Sequence, residues 1–430
     1  MRFAFYTLGC KANQFDTQAL EQLVCERGHT IVPFSDKADI YVINTCTVTA
    51  ESDRKSRQMV RSARRRVPEA VIGICGCFSQ VSPEAASSLG ADIVFGTRDR
   101  LQFLARLEEA AAARSTAVHV TPYKRGAAFE VLPAGGFEGR TRALLKVQDG
   151  CDNYCTYCII PYSRGHVRSL PLSSAIQEVR RLWDQGYLET VLTGIEISSY
   201  GLDFQNGTSL IHLLEAVCRS VPDMRIHMGS LEPRTITRQF CERIAALPNL
   251  LPHFHLSLQS GCDATLFRMH RRYDTARFYE SVKLLREYVP NAGITADLIT
   301  GFPGETENEF AETLSFLRKC RFSAMHIFPY SERPGTPAAS MVQLPREVRN
   351  ARAHEAAAVA AESRAAFLRS QIGRTDNVLF EAGEPGVQQG HTTNYLPIRI
   401  PCTQELQGHV CCVRITDVQD AQLVGELLCM

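Results

Sequence analysis

Three cysteines fall within eight residues in the run CDNYCTYC: Cys151, Cys155 and Cys158. Thiolates are soft ligands that select zinc or iron–sulfur clusters. Three of them can hold one face of a cubane cluster and leave its fourth iron open to a substrate or cofactor. A zinc site completed by His166 or a remote cysteine is the alternative, though Cys-x3-Cys-x2-Cys is an uncommon zinc spacing. A second set is dispersed: Cys10 in LGCKAN, Cys46 in INTCTVT and Cys77 in CGCFSQ, each in a small polar stretch after an apolar run. For those three, packing, zinc and a cluster stand open on residue type alone.

The whole chain has 16 cysteines among 430 residues. Its opening, MRFAFYTLGC, has too little apolar sequence before Cys10 for a lipoprotein leader and is expected to be a first β-strand. In a reducing cytoplasm, the expected location, clustered cysteines bind metal or do chemistry rather than pair. The isolated Cys25, Cys218, Cys241, Cys262, Cys320 and Cys429 are expected to pack as small hydrophobes. Apolar residues make up 45% and charged ones 22%, as in a soluble globular chain. Lys plus Arg (47) balances Asp plus Glu (46), so net charge names no partner. No apolar run reaches membrane-spanning length.

These residues need elements to position them. Strands at Arg2–Thr7, Ile40–Asn44, Val71–Cys75 and Ile93–Phe95 alternate with helices at Phe15–Arg27, Ala50–Arg66 and after Asp99. That rhythm predicts an α/β fold, an open parallel sheet over about residues 1–125, with Cys10, Cys46 and Cys77 at the carboxyl ends of its strands. Residues 126–138, rich in Gly, Ala and Pro, read as a linker. Over 135–365, strands at Ala143–Val147, Thr190–Leu192, Arg225–Met228, His253–Ser257, Ile294–Leu298 and Ala324–Phe328 predict a partial (βα)6 barrel with its site at the strands' C-terminal ends. An Ala-rich helix over Leu344–Gln371 follows, and 370–430 reads as a small β-barrel.

On that strand reading Gly194, Ser230, Glu232, Gln259 and Ser260 lie at the catalytic face, where polar groups and a close backbone approach hold a small molecule. The run Arg54–Arg66 carries seven positive residues and no acidic one. Arg54, Arg57, Arg61 and Arg64 share one helical face and are expected to bind RNA phosphates, with Arg268, Arg271 and Arg272 as possible additions. The C-terminal piece has three Arg and seven acidic residues, so any grip on RNA there uses shape or stacking.

The cysteine run, with Tyr157 just before Cys158, resembles the signature of radical S-adenosylmethionine enzymes. CDNYCTYCIIPYSRG, LTGIEISSYG, LSLQSGCDATLFRMHRRY, DLITGFPGET and HIFPYSERPGTPAA resemble, in order, segments of the methylthiotransferase family within it, over essentially all 430 residues. The resemblance implies two 4Fe–4S clusters. One, on Cys151, Cys155 and Cys158, chelates S-adenosylmethionine at its open iron and cleaves it to a 5′-deoxyadenosyl radical. An auxiliary one, on Cys10, Cys46 and Cys77, carries the transferred sulfur; Cys75 then faces the core. It places Tyr157, Gly194, Glu196, Ser230, Glu232, Gln259 and Ser260 at the cofactor and makes Gly301–Thr306 a wall of its pocket. Glu196 departs from the family's usual His or Asn. The piece from Ser370 resembles a TRAM domain.

The activity implied is methylthio transfer to carbon 2 of N(6)-threonylcarbamoyladenosine at position 37 of tRNA. Lys11 in Gly-Cys-Lys carries much of that choice of branch. Isopentenyladenosine in tRNA and an aspartate of a small-subunit ribosomal protein are the alternative substrates. An iron–sulfur RNA-binding module is the non-enzymatic alternative. A reductant protein is an expected partner; a membrane and DNA are not.

Overall fold

The computed structural model describes residues 1–135 and 141–429. Its first part is an all-parallel six-stranded sheet. The strands are β1 (Arg2–Thr7), β2 (Thr30–Ile31), β3 (Ile40–Thr45), β4 (Val71–Gly76), β5 (Ile93–Phe95) and β6 (Ala117–His119), in the order β2-β1-β3-β4-β5-β6. β3 and β4 are buried along their whole length because helices cover both faces, which is why they read as unbroken apolar runs.

Helix α1 (Lys11–Glu26) starts a turn earlier than its apolar pattern suggests, since Cys10 holds extended backbone as its N-cap. Phe15 and Ala19 on α1 join the apolar core of the central barrel rather than that of the sheet. Helix α2 (Ala50–Arg66) is capped by the Thr49 hydroxyl accepting from Ser52 N at 3.2 Å. Glu51 and Asp53 lie in its first turn and Arg64, Arg65 and Arg66 in its last, so part of the arginine run complements the helix dipole.

The central strands are β7 (Arg142–Lys146), β10 (Glu189–Thr193), β11 (Arg225–Met228), β12 (His253–Gln259), β13 (Gly293–Thr300) and β14 (Ala324–Pro329); a short ribbon, β8 (Gln148–Asp149) with β9 (Arg168–Ser169), caps the first. They form two parallel three-stranded sheets, β7-β10-β11 and β12-β13-β14, rather than one continuous ladder. Among the described residues the isolated backbone bridges Ile226↔Leu250 and Leu231↔Leu256 span the seam between them, because the short β11 stops before β12 comes alongside. The stretch read as a linker lies outside the described residues at 136–140. Before that it has no helix or strand, yet Leu132 and Ala134 are buried in the barrel core.

A helix over Arg346–Arg369 leads to a closed five-stranded barrel, β15 (Thr375–Glu384), β16 (Val387–His391), β17 (Pro397–Pro401), β18 (Val410–Gln419) and β19 (Gln422–Cys429). Its Tyr395 accepts a hydrogen bond from Arg142 Nη1 at 2.8 Å, and Asn377 O accepts one from Arg225 Nη1 at 2.9 Å, tying it to the lower ends of β7 and β11. Cys218, Cys241, Cys262 and Cys320 are buried as expected, whereas Cys25 on α1 is exposed; the side chain of Cys429 lies outside the described residues. No helix among the described residues is long and apolar enough to cross a membrane.

Gly76, which delivers Cys77, has φ +101°, and a Cβ there would sit 2.3 Å from Thr45 O. Gly76→Ala is therefore expected to cost about 3 kcal/mol or more of stability, read as a lower thermal midpoint or lost soluble yield.

Candidate active site

The loop after β8 turns at Gly150 (φ +75°), where a Cβ would lie 2.0 Å from His166 O. That glycine lets Cys151 N donate to Gly165 O at 2.9 Å and places the cysteine loop over the barrel mouth. Thr156 ties the loop to the next wall, its N donating to Met269 O (3.1 Å) and its hydroxyl to Arg268 O (2.8 Å). Cys151 and Cys155 are buried and Cys158 is half-buried. Burial, with the neighbouring thiols, pushes Cys151 and Cys158 up to about 12. Such thiols ionise only against a strongly positive partner, as iron is.

Among the described residues no three His, Cys, Asp or Glu side chains converge on one metal ion. A cubane takes each thiolate on a different iron, so it does not require three side chains to meet on one ion. His166, the possible zinc ligand, instead faces Asp152, with Nδ1 2.5 Å from Oδ1. Tyr157 packs edge-on against Phe302 under the loop (ring centroids 6.4 Å). Arg271, expected as an addition to the RNA-facing arginines, meets the cysteine loop instead. It is turned inward, with Nη1 3.2 Å from Cys155 Sγ and its guanidinium stacked 4.8 Å from the Tyr273 ring.

Beside the loop opens a cavity of about 1030 Å³ lined by Asp152, His166, Glu196, Glu232, Arg234 and Arg272, among others. Glu196 and Glu232 thus line a cavity beside the cysteine loop. Glu196 Oε1 accepts from Ser198 N at 3.0 Å, and burial raises its pKa; Glu232 accepts from Arg234 Nε at 2.9 and 3.0 Å.

Five other expected contacts do not line this cavity, Tyr157 under the loop among them. Ser260 is fully buried; strand alternation puts it with Leu256 and Leu258 behind β12, its Oγ 3.4 Å from Thr313 Oγ1. Gly194 is needed for a protein contact, since a Cβ would meet Gln148 O at 2.8 Å. Gln148 Oε1 in turn accepts from Ile195 N and Glu196 N (3.0 and 2.9 Å), fixing that loop. Ser230 is exposed beyond β11, and Gln259 ends β12 at φ +66°.

The second triad assembles from three strand ends. Cys10 caps α1, Cys46 follows β3, and Cys77 opens the short helix Cys77–Val81 after β4. A Cβ on Gly9 (φ +107°) would sit 3.1 Å from Cys46 Sγ, so the turn beside Cys10 lies against Cys46. Burial, then Cys77, pushes the Cys46 thiol up to about 11. Cys46 and Cys77 are buried and Cys10 is open to solvent, leaving one exposed side. Cys75 is fully buried in the opposite, apolar layer, as its strand position implies.

A buried ionic network joins the two triads. Asp16 on α1 meets Lys146 of β7, Arg164 Nη2 (3.1 Å) and Arg100 Nη2 (3.1 Å). Asp149, two residues before Cys151, meets Arg164 Nη1 (3.1 Å), Lys146 Nζ (3.3 Å) and Arg168 (3.6 Å). Burial opposes ionisation of both carboxyls, yet these cations hold them below the ordinary range. Arg164 also donates to Asn13 Oδ1 at 2.5 Å; burial raises the pKa of Cys77, and the charge of Arg164 offsets part of that rise. None of this network was legible as a site, because Asp16, Lys146 and Arg164 are far apart in sequence.

On α2, Arg54 pairs with Glu51 (2.8 Å) and stays exposed. Arg54, Arg57, Arg61 and Arg65 line a cavity of about 950 Å³ with Arg333. Arg333 holds that rim, donating to Asp53 (2.6 Å) and Thr47 (2.8 Å) beside Cys46. Arg64 is not part of the stripe: it turns back to donate to Pro68 O, Ala70 O and Asp92 Oδ2 (2.9, 2.9 and 2.7 Å). Its place at the helix end makes nearby carbonyls its partners. Arg268 likewise pairs with Glu309 at 2.6 Å.

A split parallel barrel with a three-thiol loop at its mouth defines a radical S-adenosylmethionine enzyme, and a radical SAM superfamily model matches residues 145–317. A family described as "Uncharacterized protein family UPF0004" matches residues 2–96. The threonylcarbamoyladenosine tRNA methylthiotransferase MtaB of Bacillus subtilis is 38% identical over 96% of this chain and 93% of its own length. The tRNA-2-methylthio-N(6)-dimethylallyladenosine synthase of the same organism is 32% identical over 99% of this chain and 86% of its own. In fold, the chain is similar to the radical S-adenosylmethionine methyltransferase TsrM of Kitasatospora setae, at 14% identity and TM-score 0.57, covering 79% of this chain and 77% of that one. The chain belongs to the radical S-adenosylmethionine methylthiotransferases. It is a transferase, with that family's S-adenosylmethionine and 4Fe–4S chemistry.

Arg164→Met would leave Asp149 and Asp16 short of a partner in the interior. It is expected to lower unfolding free energy by about 3–5 kcal/mol in urea titration.

Proposed function

We propose that the protein transfers a methylthio group to carbon 2 of N(6)-threonylcarbamoyladenosine at position 37 of tRNA. The observation that carries this is the pairing of two thiol triads across one buried network, on a chain whose similarity to a threonylcarbamoyladenosine enzyme exceeds that to a dimethylallyladenosine one, 38% against 32%. Cys151, Cys155 and Cys158 would hold one cluster, and Cys10, Cys46 and Cys77 the other. Bound there, the clusters and S-adenosylmethionine supply the radical and the sulfur that an unactivated adenine carbon–hydrogen bond requires.

The chain's own part is placement. Glu196 and Glu232 border the cofactor space, Tyr157 supports the cysteine loop from beneath, Arg271 steadies Cys155, and Arg164 fixes the distance between the triads. The target base must leave its stack to enter between them. Arg57, Arg61 and Arg65 on the open face of α2 offer phosphate contacts beside Cys46. A reductant protein would meet the exposed Tyr154 and Tyr162, whose rings lie 5.8 Å apart by the cysteine loop. Dimethylallyladenosine is the second reading, favoured by full-length similarity to its synthases.

Anaerobic reconstitution is expected to load about eight irons per chain. Replacing Cys151, Cys155 and Cys158 by Ala should abolish 5′-deoxyadenosine formation, while replacing Cys10, Cys46 and Cys77 should spare it and abolish methylthiolated product. Loading of zinc alone would overturn the cluster assignment. Nucleoside mass spectrometry of tRNA from a deletion strain should lose 2-methylthio-threonylcarbamoyladenosine; its retention refutes the substrate. Reversing the charges of Arg57, Arg61 and Arg65 to Glu should weaken tRNA binding at least tenfold and flatten its salt dependence.

A further inference from the structure

The cysteine loop is zipped to one short stretch of the opposite barrel wall. The helix Asp263–Arg268 ends in a turn at His270 (φ +59°), and Arg271 N donates back to Leu266 O at 2.9 Å. That turn is bonded to the loop on both sides of Cys155. Thr156 N and its hydroxyl donate to Met269 O and Arg268 O, and His270 Nδ1 lies 3.3 Å from Tyr154 O. Cys155 and Arg271 therefore face each other in a register that the backbone sets. The 3.2 Å contact between Arg271 Nη1 and Cys155 Sγ follows from it.

The three arginines of RMHRR differ in what answers their charge. Arg268 pairs with Glu309 at 2.6 Å, and Arg272 is exposed to solvent. Arg271 is half-buried; its Nε donates to the Tyr273 hydroxyl at 3.1 Å and its Nη2 to Ser257 O at 3.4 Å. The Tyr273 hydroxyl in turn donates to the carbonyls of Ser257 and Leu258, so it stays neutral. Among the described residues no carboxylate lies within ion-pairing distance of Arg271. A guanidinium taken out of water needs a counter-charge. The partner that supplies one is the Cys155 sulfur, which is a thiolate whenever it ligates iron.

We propose that Arg271 sets the reduction potential of the cluster held by Cys151, Cys155 and Cys158, its positive charge and Nη1 hydrogen bond at the Cys155 sulfur favouring the reduced form. Reduction takes one electron from the reductant and adds one negative charge to the cluster. A cation hydrogen-bonded to a ligating sulfur stabilises that product more than the oxidised cluster and raises the potential. Arg271 acts through Cys155, as a positioning residue. The inference rests on the assignment of this triad to a cluster.

The test is an EPR-monitored potentiometric titration of the anaerobically reconstituted holoenzyme, without S-adenosylmethionine. The couple missing when Cys151, Cys155 and Cys158 are all Ala belongs to the barrel cluster; the auxiliary couple is the internal control. In Arg271→Met the reduced-to-oxidised ratio of the barrel cluster at a fixed potential should fall about tenfold, a midpoint about 59 mV lower for a one-electron couple. Arg271→Gln should behave likewise, and Arg271→Lys, which keeps the charge, should recover most of the ratio. The auxiliary midpoint should not move. An unmoved barrel midpoint overturns the proposal; if S-adenosylmethionine binding weakens at the same time, Arg271 serves the cofactor's carboxylate instead. Equal shifts of both couples, or loss of four irons from both neutral variants, would make Arg271 a scaffold residue and overturn it too. A wild type in which removing the triad removes no couple fails the cluster assignment itself, and this inference with it.

Discussion

Two carboxylates kept ionised inside protein, Asp16 and Asp149, fix how the two halves of this molecule meet. A buried charge is tolerable only while its counter-charges stay within a few ångströms. Lys146 and Arg164 each touch both carboxylates, so α1, β7 and the segment after the cysteine loop have one workable arrangement. An apolar interface would tolerate sliding by a fraction of a side chain, but this one does not. For chemistry that hands a group from one metal centre to a base activated at another, such fixity matters more than the modest net stability buried ion pairs contribute.

The layout was largely legible because strands such as β3, β4, β10 and β11 are buried along their whole length, and such strands announce themselves as short apolar runs between helices. The triads were legible for different reasons: Cys151, Cys155 and Cys158 by spacing, Cys10, Cys46 and Cys77 only through resemblance. What escaped depends on contacts between distant residues. The run of arginines on α2 could not reveal that Arg64 folds back onto carbonyls while Arg61 does not. Ser260 looked like a strand-end polar group, but a register shift between Leu256 and Gln259 and the phase of β12 send it behind the sheet. Gly194 signalled a close approach correctly; the partner is Gln148. Arg271 reaches Cys155 across 116 residues, a separation that no local pattern encodes.

One acidic residue of the C-terminal barrel, Glu381, has a structural partner in the central barrel. Glu381 pairs with Arg142 and with His391, and Tyr395 lies within 5 Å, ring to ring, of His227, His253 and His391. The small barrel lies against the lower end of the central one, where Glu381 and Tyr395 meet Arg142, His227 and His253.

Helix α1 carries Cys10 at its cap, Lys11, Asn13 and Asp16 in its first turns, and Phe15 and Ala19 on the face that enters the barrel. Inserting or deleting one residue near its start would rotate everything downstream by about 100°, separating sulfur ligand, ion-pair anchor and apolar plug in a single event. A change of length in this helix therefore disturbs all three at once, whereas an exchange of side chains at constant length leaves the frame in place.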